Sequence, residues 1–404
     1  MVPRPSYIAA LDRYRDRDLI KVVTGMRRVG KSVILQLYRE HLLAGGVSPS
    51  SIVAVNFEVE DNASLRNPMA LLEYAHAHKA PRGTTYVFLD EVQEVPEFQR
   101  VVDSLFAEGG YDLYVTGSNS HLLSGDLATL LTGRYVQVEV LPLSYAELRS
   151  AVGPDTGDQA LMQRYLRFGG LPMIAALGED EQTLLGYLDG VYSTVVRKDV
   201  LAQMGAGSPD LLDALSQFLM DSIGSPSSLR SIVSALKANG WHTSAEKVSE
   251  YMGALCDAYV FHKVRRYDLR GKALLAQQEK YYANDPGLRT LLLGLRGGDV
   301  GHLLENAVYL ELRRRATEVR IGKIGASEVD FVARESGDTV YYQVSASVLD
   351  PNTLERELAP LRAIGDNYPK RLLTLDEIGN GSHEGIIQRN VIDWLLDGNT
   401  REGA

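Results

Sequence analysis

Gly25-Met26-Arg27-Arg28-Val29-Gly30-Lys31-Ser32 decides how the rest of this chain is read. The stretch fits G-x-x-x-x-G-K-[ST], a loop built to hold phosphate. The residues before it, Leu19-Ile20-Lys21-Val22-Val23-Thr24, read as a short β-strand. Those after it, Val33-Ile34-Leu35-Gln36-Leu37-Tyr38, read as the first turns of a buried helix. Strand, glycine loop, helix is the context the spacing requires. Gly25 and Gly30 let the backbone take turns that a Cβ would block, so successive N–H groups can face an anion. The helix starting near Lys31 adds the positive end of its dipole. Lys31 is expected to reach the β- and γ-phosphates of a nucleotide. The Ser32 hydroxyl is expected to hold Mg²⁺, a hard cation that prefers oxygen.

Working outward, Ser51 to Phe57 reads as a second strand and Thr84 to Glu91 as a third. The third is continuously apolar and ends in Asp90-Glu91. Apolar strands alternating with helices suit a parallel sheet covered on both faces. Asp90 is expected to bind Mg²⁺, and Glu91 to orient or deprotonate the attacking water. Tyr111 to Asn119 is a fourth strand with polar residues at its carboxyl end, the edge where open α/β sheets bind ligands. Ser118 or Asn119 is therefore placed to sense the γ-phosphate, the plain alternative being a turn. Leu131-Thr132-Gly133-Arg134 precedes a strand over Val136 to Val140. Arg134 is expected at the nucleotide edge, either as an arginine finger or as a surface arginine bonded to a carboxylate. Asn56, ending the second strand, is a candidate to hold Glu91 in an inactive pose, or simply a turn former.

The loop, Asp90-Glu91, Thr116-Gly117-Ser118, Leu131-Thr132-Gly133-Arg134 and Leu141-Pro142-Leu143-Ser144, in that order, resemble a family of archaeal and bacterial AAA-type ATPases. In that family the ATPase core is joined to a C-terminal domain of unknown function. The resemblance implies an α/β P-loop NTPase core over residues 1–142, with ATP and Mg²⁺ as its ligands.

A helical lid is expected over 143–205. It opens on the capping box Ser144-Tyr145-Ala146-Glu147, continues through a helix ending at Gly169-Gly170, and includes a helix from about Asp180 to Val200. Arg197 and Lys198 lie late in that helix, where cations suit the dipole without further cause. Residues 206–290 read as winged-helix-like: helices from Pro209, from Leu229 (capped by Ser227) and from Ser244, then strands at Tyr259–Val264 and Glu279–Ala283. The third helix carries Glu246, Lys247 and Glu250, a poor face for phosphate. The hairpin is basic, so DNA contact through Lys263, Arg265, Arg266, Arg270 and Lys272 stands beside a protein-packing role.

Residues 291–397 carry a helix with Glu305, a strand with Asp330 and a strand Tyr341-Tyr342-Gln343-Val344-Ser345. This layout resembles restriction-endonuclease-like domains. Gln343 stands where that pattern has a carboxylate and Ser345 where it has lysine, which leaves the metal site degenerate and cleavage improbable. The tail 398–404 is expected to be disordered.

A net charge of −10 argues against a protein coated all over by nucleic acid, though not against one basic patch. No apolar run approaches the length of a membrane span. One cysteine, Cys256, excludes an internal disulfide and reads as a buried structural thiol. Its scarcity and the lack of an apolar signal core lead to the expectation of a cytoplasmic protein, with a homo-oligomer required if Arg134 acts in trans. Three functions remain open: an ATPase moving its appended domains, on DNA or elsewhere; a slow ATP-gated switch holding a protein; and an ATP-gated metal-dependent nuclease.

Overall fold

Two compact units divide the chain: Met1–Leu141 with Asp257–Tyr259, and Pro142–Cys256 with Val260–Ala404. The computed structural model describes residues 1–120, 131, 133–205, 207–271, 273–296 and 298–397, with only the backbone of Lys198, Ala276 and Gln277. Lys272 and the 398–404 tail lie outside the described residues.

In the first unit α1 (Pro5–Asp12) leads into β1 (Ile20–Thr24), α2 (Lys31–Ala44), β2 (Ile52–Asn56), α3 (Pro68–Ala77), β3 (Thr85–Asp90), α4 (Phe98–Glu108), β4 (Tyr111–Gly117) and β5 (Tyr135–Glu139). The strands form one parallel sheet in the order β2-β3-β4-β1-β5. Burial follows position in the sheet. Every residue of the central strands β1 and β3 is buried, whereas the edge strands β2 and β5 alternate or stand half open. A strand covered on both faces must be apolar throughout, and one at the edge need not be. On α4, Phe98, Val101, Val102 and Leu105 make an i, i+3, i+4, i+7 stripe that packs into the core beside Val87, Leu89 and Val115.

Asp257–Tyr259 complete this unit from far along the chain. The Ser120 hydroxyl donates to Asp257 Oδ1 at 2.6 Å. Gln137 Nε2 donates to the Tyr259 hydroxyl at 3.2 Å and to Thr24 Oγ1 at 2.9 Å. Tyr259 holds φ +55°, a left-handed conformation unusual for a bulky residue.

The second unit begins with α5 (Tyr145–Val152), α6 (Asp158–Phe168), α7 (Pro172–Ala176) and α8 (Glu181–Tyr192). The Ser144–Glu147 capping box closes in both directions, at 3.0 and 2.8 Å. The helix expected to run unbroken to Val200 instead ends its α-helical part at Tyr192. Ser193–Val200 continue as a π-helix into α9 (Leu201–Met204). Next come α10 (Pro209–Asp221), α11 (Leu229–Ala238) and α12 (Ala245–Asp257). Ser228, not Ser227, caps α11; Ser227 instead pairs through its backbone with Glu279. Cys256 on α12 is half-buried, more open than a fully enclosed thiol.

The remaining elements are β6 (Phe261–Asp268), β7 (Ala273–Ala283), α13 (Pro286–Leu293), α14 (Val300–Arg315), β8 (Glu318–Ile324), β9 (Ser327–Glu335), β10 (Asp338–Ser345), α15 (Pro351–Arg362), β11 (Lys370–Thr374), β12 (Gly381–His383), β13 (Ile386–Asn390) and α16 (Val391–Leu396). Their strands make one mixed sheet, β12-β13-β11-β10-β9-β8-β6-β7. The β6–β7 hairpin, expected as a wing, is longer than its two apolar runs. It extends the C-terminal sheet, with β6 parallel to β8 from Arg266↔Ile321 to Asp268↔Lys323.

At the corner after α6, Gly169 takes φ +80°, and a Cβ there would fall 1.8 Å from Asp285 Oδ1. Asp285 caps α13 and accepts N–H bonds from Gly170 and Gly287, each at 2.8 Å.

Candidate functional site

The first unit gathers its polar side chains at the carboxyl edge of the sheet. The turn from β1 into α2 needs its glycines. Gly25 has φ +140°, and a Cβ would lie 2.3 Å from the Val140 carbonyl oxygen. Gly30 sits in the left-handed region (φ 97°) as the residue before α2 and offers no side-chain cap, so the first N–H groups of the helix are left to an external acceptor. Arg28, also left-handed at φ 72°, keeps the loop curled. A buried arginine braces it from outside: Arg4 donates to Val29 O at 3.2 Å and to Leu141 O at 3.0 Å.

Lys31 is buried, with its Nζ on the loop's own carbonyls, Gly25 O at 3.2 Å and Met26 O at 3.4 Å, and 3.4 Å from Glu91 Oε1. Burial lowers its pKa, while Glu91 and Asp90 pull the other way. An ammonium stripped of water and facing carbonyls is ready for a stronger anion.

Asp90 ends β3 with both oxygens engaged. Thr116 Oγ1 donates to Oδ1 at 2.6 Å, and Asn56 Nδ2 donates to Oδ2 at 2.9 Å. Burial raises its pKa, against the hydrogen bonds from Thr116 and Ser32. The same Thr116 oxygen accepts the Glu91 N–H at 2.8 Å. That bond fixes Glu91 in a left-handed turn (φ 55°), a conformation that non-glycine residues hold mostly at functional sites. Glu91 Oε2 accepts from Gln93 Nε2 at 2.6 Å. The Ser32 hydroxyl beside the Asp90 carboxylate gives two hard oxygen donors, a set that fits Mg²⁺. A cavity of about 310 Å³ adjoins Ser32, Asn56 and Asp90.

The expected residues divide accordingly. Gly25 to Ser32, Asp90 and Glu91 come together. Ser118 and Asn119 follow β4, whose last residue Gly117 is in register with Thr24, so they stand at the same edge. Asn56 donates to Asp90 and not to Glu91, and its Oδ1 accepts the Glu58 N–H at 2.8 Å, so of its two expected roles the turn former holds. Arg134 is corrected in place only, and it is the surface arginine bonded to a carboxylate. It precedes β5, whose first residue Tyr135 is in register with Ile20 at the start of β1. That is the amino edge, opposite the loop, and its guanidinium pairs there with Asp103 at 2.8 Å. From sequence, Thr116 has no role beyond its place in Thr116-Gly117-Ser118, and Gln93 has none. Register could have found Thr116, because Leu89↔Val115 puts it next to Asp90.

The second unit brings Glu305, Asp330 and Gln343 together, but around a lysine. Lys280 Nζ lies 3.0 Å from Glu305 Oε1 and 2.7 Å from Glu328 Oε1. Burial lowers its pKa, but Glu305, Asp330 and Glu328 outweigh it and hold the ammonium charged. Burial, then Glu305, push Asp330 well above the usual carboxylate range. The Tyr282 hydroxyl donates to Glu305 at 2.6 Å, and Gln343 Nε2 donates to Glu357 at 2.9 Å. Ser345 bonds to the Ser347 carbonyl. Among the described residues no group of three or more His, Cys, Asp or Glu side chains is arranged to hold a metal. On the hairpin, Lys263 pairs with Glu279 at 2.8 Å and Arg266 with Glu328 at 3.2 Å, whereas Arg265 and Arg270 are exposed. Arg197 pairs with Asp213.

A glycine loop between β1 and α2 of a five-stranded parallel sheet, with acidic residues ending β3, defines a P-loop ATPase of the AAA type. A family model described as an AAA domain matches residues 17–149, and one described as a domain of unknown function matches 159–299. An uncharacterized protein of Haemophilus influenzae is 34% identical over 401 residues, 98% of this chain and 99% of its own length. Another, from Methanocaldococcus jannaschii, is 30% identical over 312 residues, 73% of this chain and 67% of its own. The chain belongs to this family, AAA-type ATPases joined to a domain of unknown function. The solved Walker-type ATPase PABY2304 of Pyrococcus abyssi shares the fold, with a TM-score of 0.51 and 15% identity over 72% of this chain and 96% of that one.

Proposed function

We propose that the chain binds and hydrolyses ATP with Mg²⁺ and uses the nucleotide state to move its appended second unit. The observation that carries this is the meeting of Lys31 and Ser32, on the uncapped start of α2, with Asp90 and Glu91 from the end of β3. The loop amides from Gly25 to Ser32 take the phosphates, and Lys31 leaves its carbonyl partners for the β- and γ-oxygens. Ser32 and Asp90 would hold Mg²⁺, which supplies charge neutralisation of the phosphates. Glu91 accepts the proton of the attacking water as its oxygen bonds to the γ-phosphorus and the bond to the ADP oxygen breaks. Ser118 and Asn119 sense the γ-phosphate from the end of β4.

A second reading, a slow ATP-gated switch holding a protein, draws on the Lys31–Glu91 pair, which ties up the base until nucleotide arrives. The DNA-acting version has less support, because Lys263 and Arg266 already have carboxylate partners. Nuclease action is not proposed, since Lys280 occupies the carboxylate centre and Gln343 replaces an acid there. No described helix is long and apolar enough to cross a membrane, and we place the protein in the cytoplasm.

Steady-state ATP hydrolysis with and without duplex and single-stranded DNA, for wild type, Lys31→Ala and Glu91→Gln, tests the set. Turnover lost in both variants supports the ATPase. Stimulation by DNA revives the nucleic-acid version. ATP binding through Lys31 with negligible turnover turns the assignment to the switch.

A further inference from the structure

We infer that Gln93 is a positioning residue for hydrolysis: its amide fixes one oxygen of Glu91 and leaves the other for the attacking water. This rests on the ATPase reading above and extends it to a residue outside the loop and the strand-end acids.

Glu91 has two oxygens with different partners. Oε1 faces Lys31 Nζ at 3.4 Å and Oε2 accepts from Gln93 Nε2 at 2.6 Å. The long contact is with a group that must turn to phosphate when nucleotide binds. The short one is with a neutral amide that has no reason to leave. Nucleotide therefore releases Oε1 alone, and Oε2 stays pinned. The amide's orientation follows from chemistry, since the reverse would set its carbonyl against a carboxylate.

The position of Gln93 is itself fixed. It lies in the single 3₁₀ turn Val92–Glu94 that starts from left-handed Glu91, whose N–H is held by Thr116 at 2.8 Å. Val92, beside it, is fully buried and anchors the turn in the core. The carbonyl oxygen of the same amide is buried and has no hydrogen-bond partner among the described residues. The hold on Glu91 therefore comes from the Nε2 donor alone.

The test measures kcat, KM for ATP and the Kd of a fluorescent ATP analogue for wild type, Gln93→Ala and Gln93→Leu. Lys31→Ala serves as the binding control, and thermal melting checks folding. Gln93 is half-buried on a surface turn, and leucine keeps its bulk. The expected result is kcat lower by about 10–100-fold, the cost of a misplaced base, with KM, Kd and melting temperature unchanged. Unchanged or increased kcat overturns the inference while leaving the ATPase reading intact. A raised KM and Kd at constant kcat also overturns it, since Gln93 would then serve binding. Absence of turnover in wild type removes the ATPase reading and this inference with it.

Discussion

Replacing Lys280 by methionine should unfold the second unit far more readily. Lys280 is 3% exposed and joins Glu305 at 3.0 Å to Glu328 at 2.7 Å, with the Asp330 carboxyl beside them. Methionine keeps the stem and removes the charge that Glu305 and Glu328 share, leaving Arg266 on Glu328 alone. At an effective dielectric of 20, a pair near 3 Å is worth about 5 kcal/mol before desolvation. Breaking a buried pair from one side typically costs about 3–5 kcal/mol, because the other partner stays buried and uncompensated. The lower half of that range is expected, because Tyr282 still donates to Glu305 and Arg266 still faces Glu328 at 3.2 Å. The chain's two tryptophans, Trp241 and Trp394, both belong to the second unit, so denaturant unfolding followed by their fluorescence reads this unit alone. Adding Glu305→Gln should recover about 1–2 kcal/mol by removing one stranded charge. The reasoning is refuted if Lys280→Met costs under about 1 kcal/mol, or if Glu305→Gln deepens the loss.

Gly25→Ala should abolish nucleotide binding with little change elsewhere, because the new Cβ lands 2.3 Å from Val140 O at a φ of +140°; titration with a fluorescent ATP analogue checks it. Thr116→Val should lose about 2–4 kcal/mol of first-unit stability and most turnover, since one hydroxyl serves both Asp90 and the Glu91 N–H. Thr116→Ser should retain both, as hydrolysis rates and calorimetry would report. Burial raises Asp285 to about 7 against its backbone N–H donors. With the folded value above the usual carboxylate value, its contribution is present below about pH 4 and lost as pH rises through 7. Between pH 4 and 8 wild type should therefore lose up to ~4 kcal/mol relative to Asp285→Asn, seen as a difference in tryptophan-monitored unfolding slopes.

What could be read in advance was what lies close together along the chain. The loop is eight consecutive residues, and the acidic pair follows an unbroken apolar run, so spacing alone exposed both. Thr116 and Gln93 work through neighbours that only strand register and a left-handed turn bring near. Lys280 is hidden more deeply. It sits between Glu279 and two tyrosines on β7, and its partners come from α14 and β9. The misplacement of Arg134 has a cause available in the sequence: a residue that precedes a parallel strand stands at its amino edge, however near it is to the motifs in chain order. The hairpin's union with β8 depends on a parallel pairing across α13 and α14, which no local pattern announces.

The three residues Asp257–Tyr259 also order events during synthesis. The rest of the first unit is contiguous, so its sheet and loop leave the ribosome together. Its last pieces arrive only after Pro142–Cys256 have been made. At typical elongation rates that delay is on the order of ten seconds. For that interval Ser120 lacks Asp257, and Gln137 has Thr24 but not Tyr259. The nascent unit must stand on its own hydrophobic core, and Tyr259, closing against the end of β1, acts as a latch fitted after the door is hung.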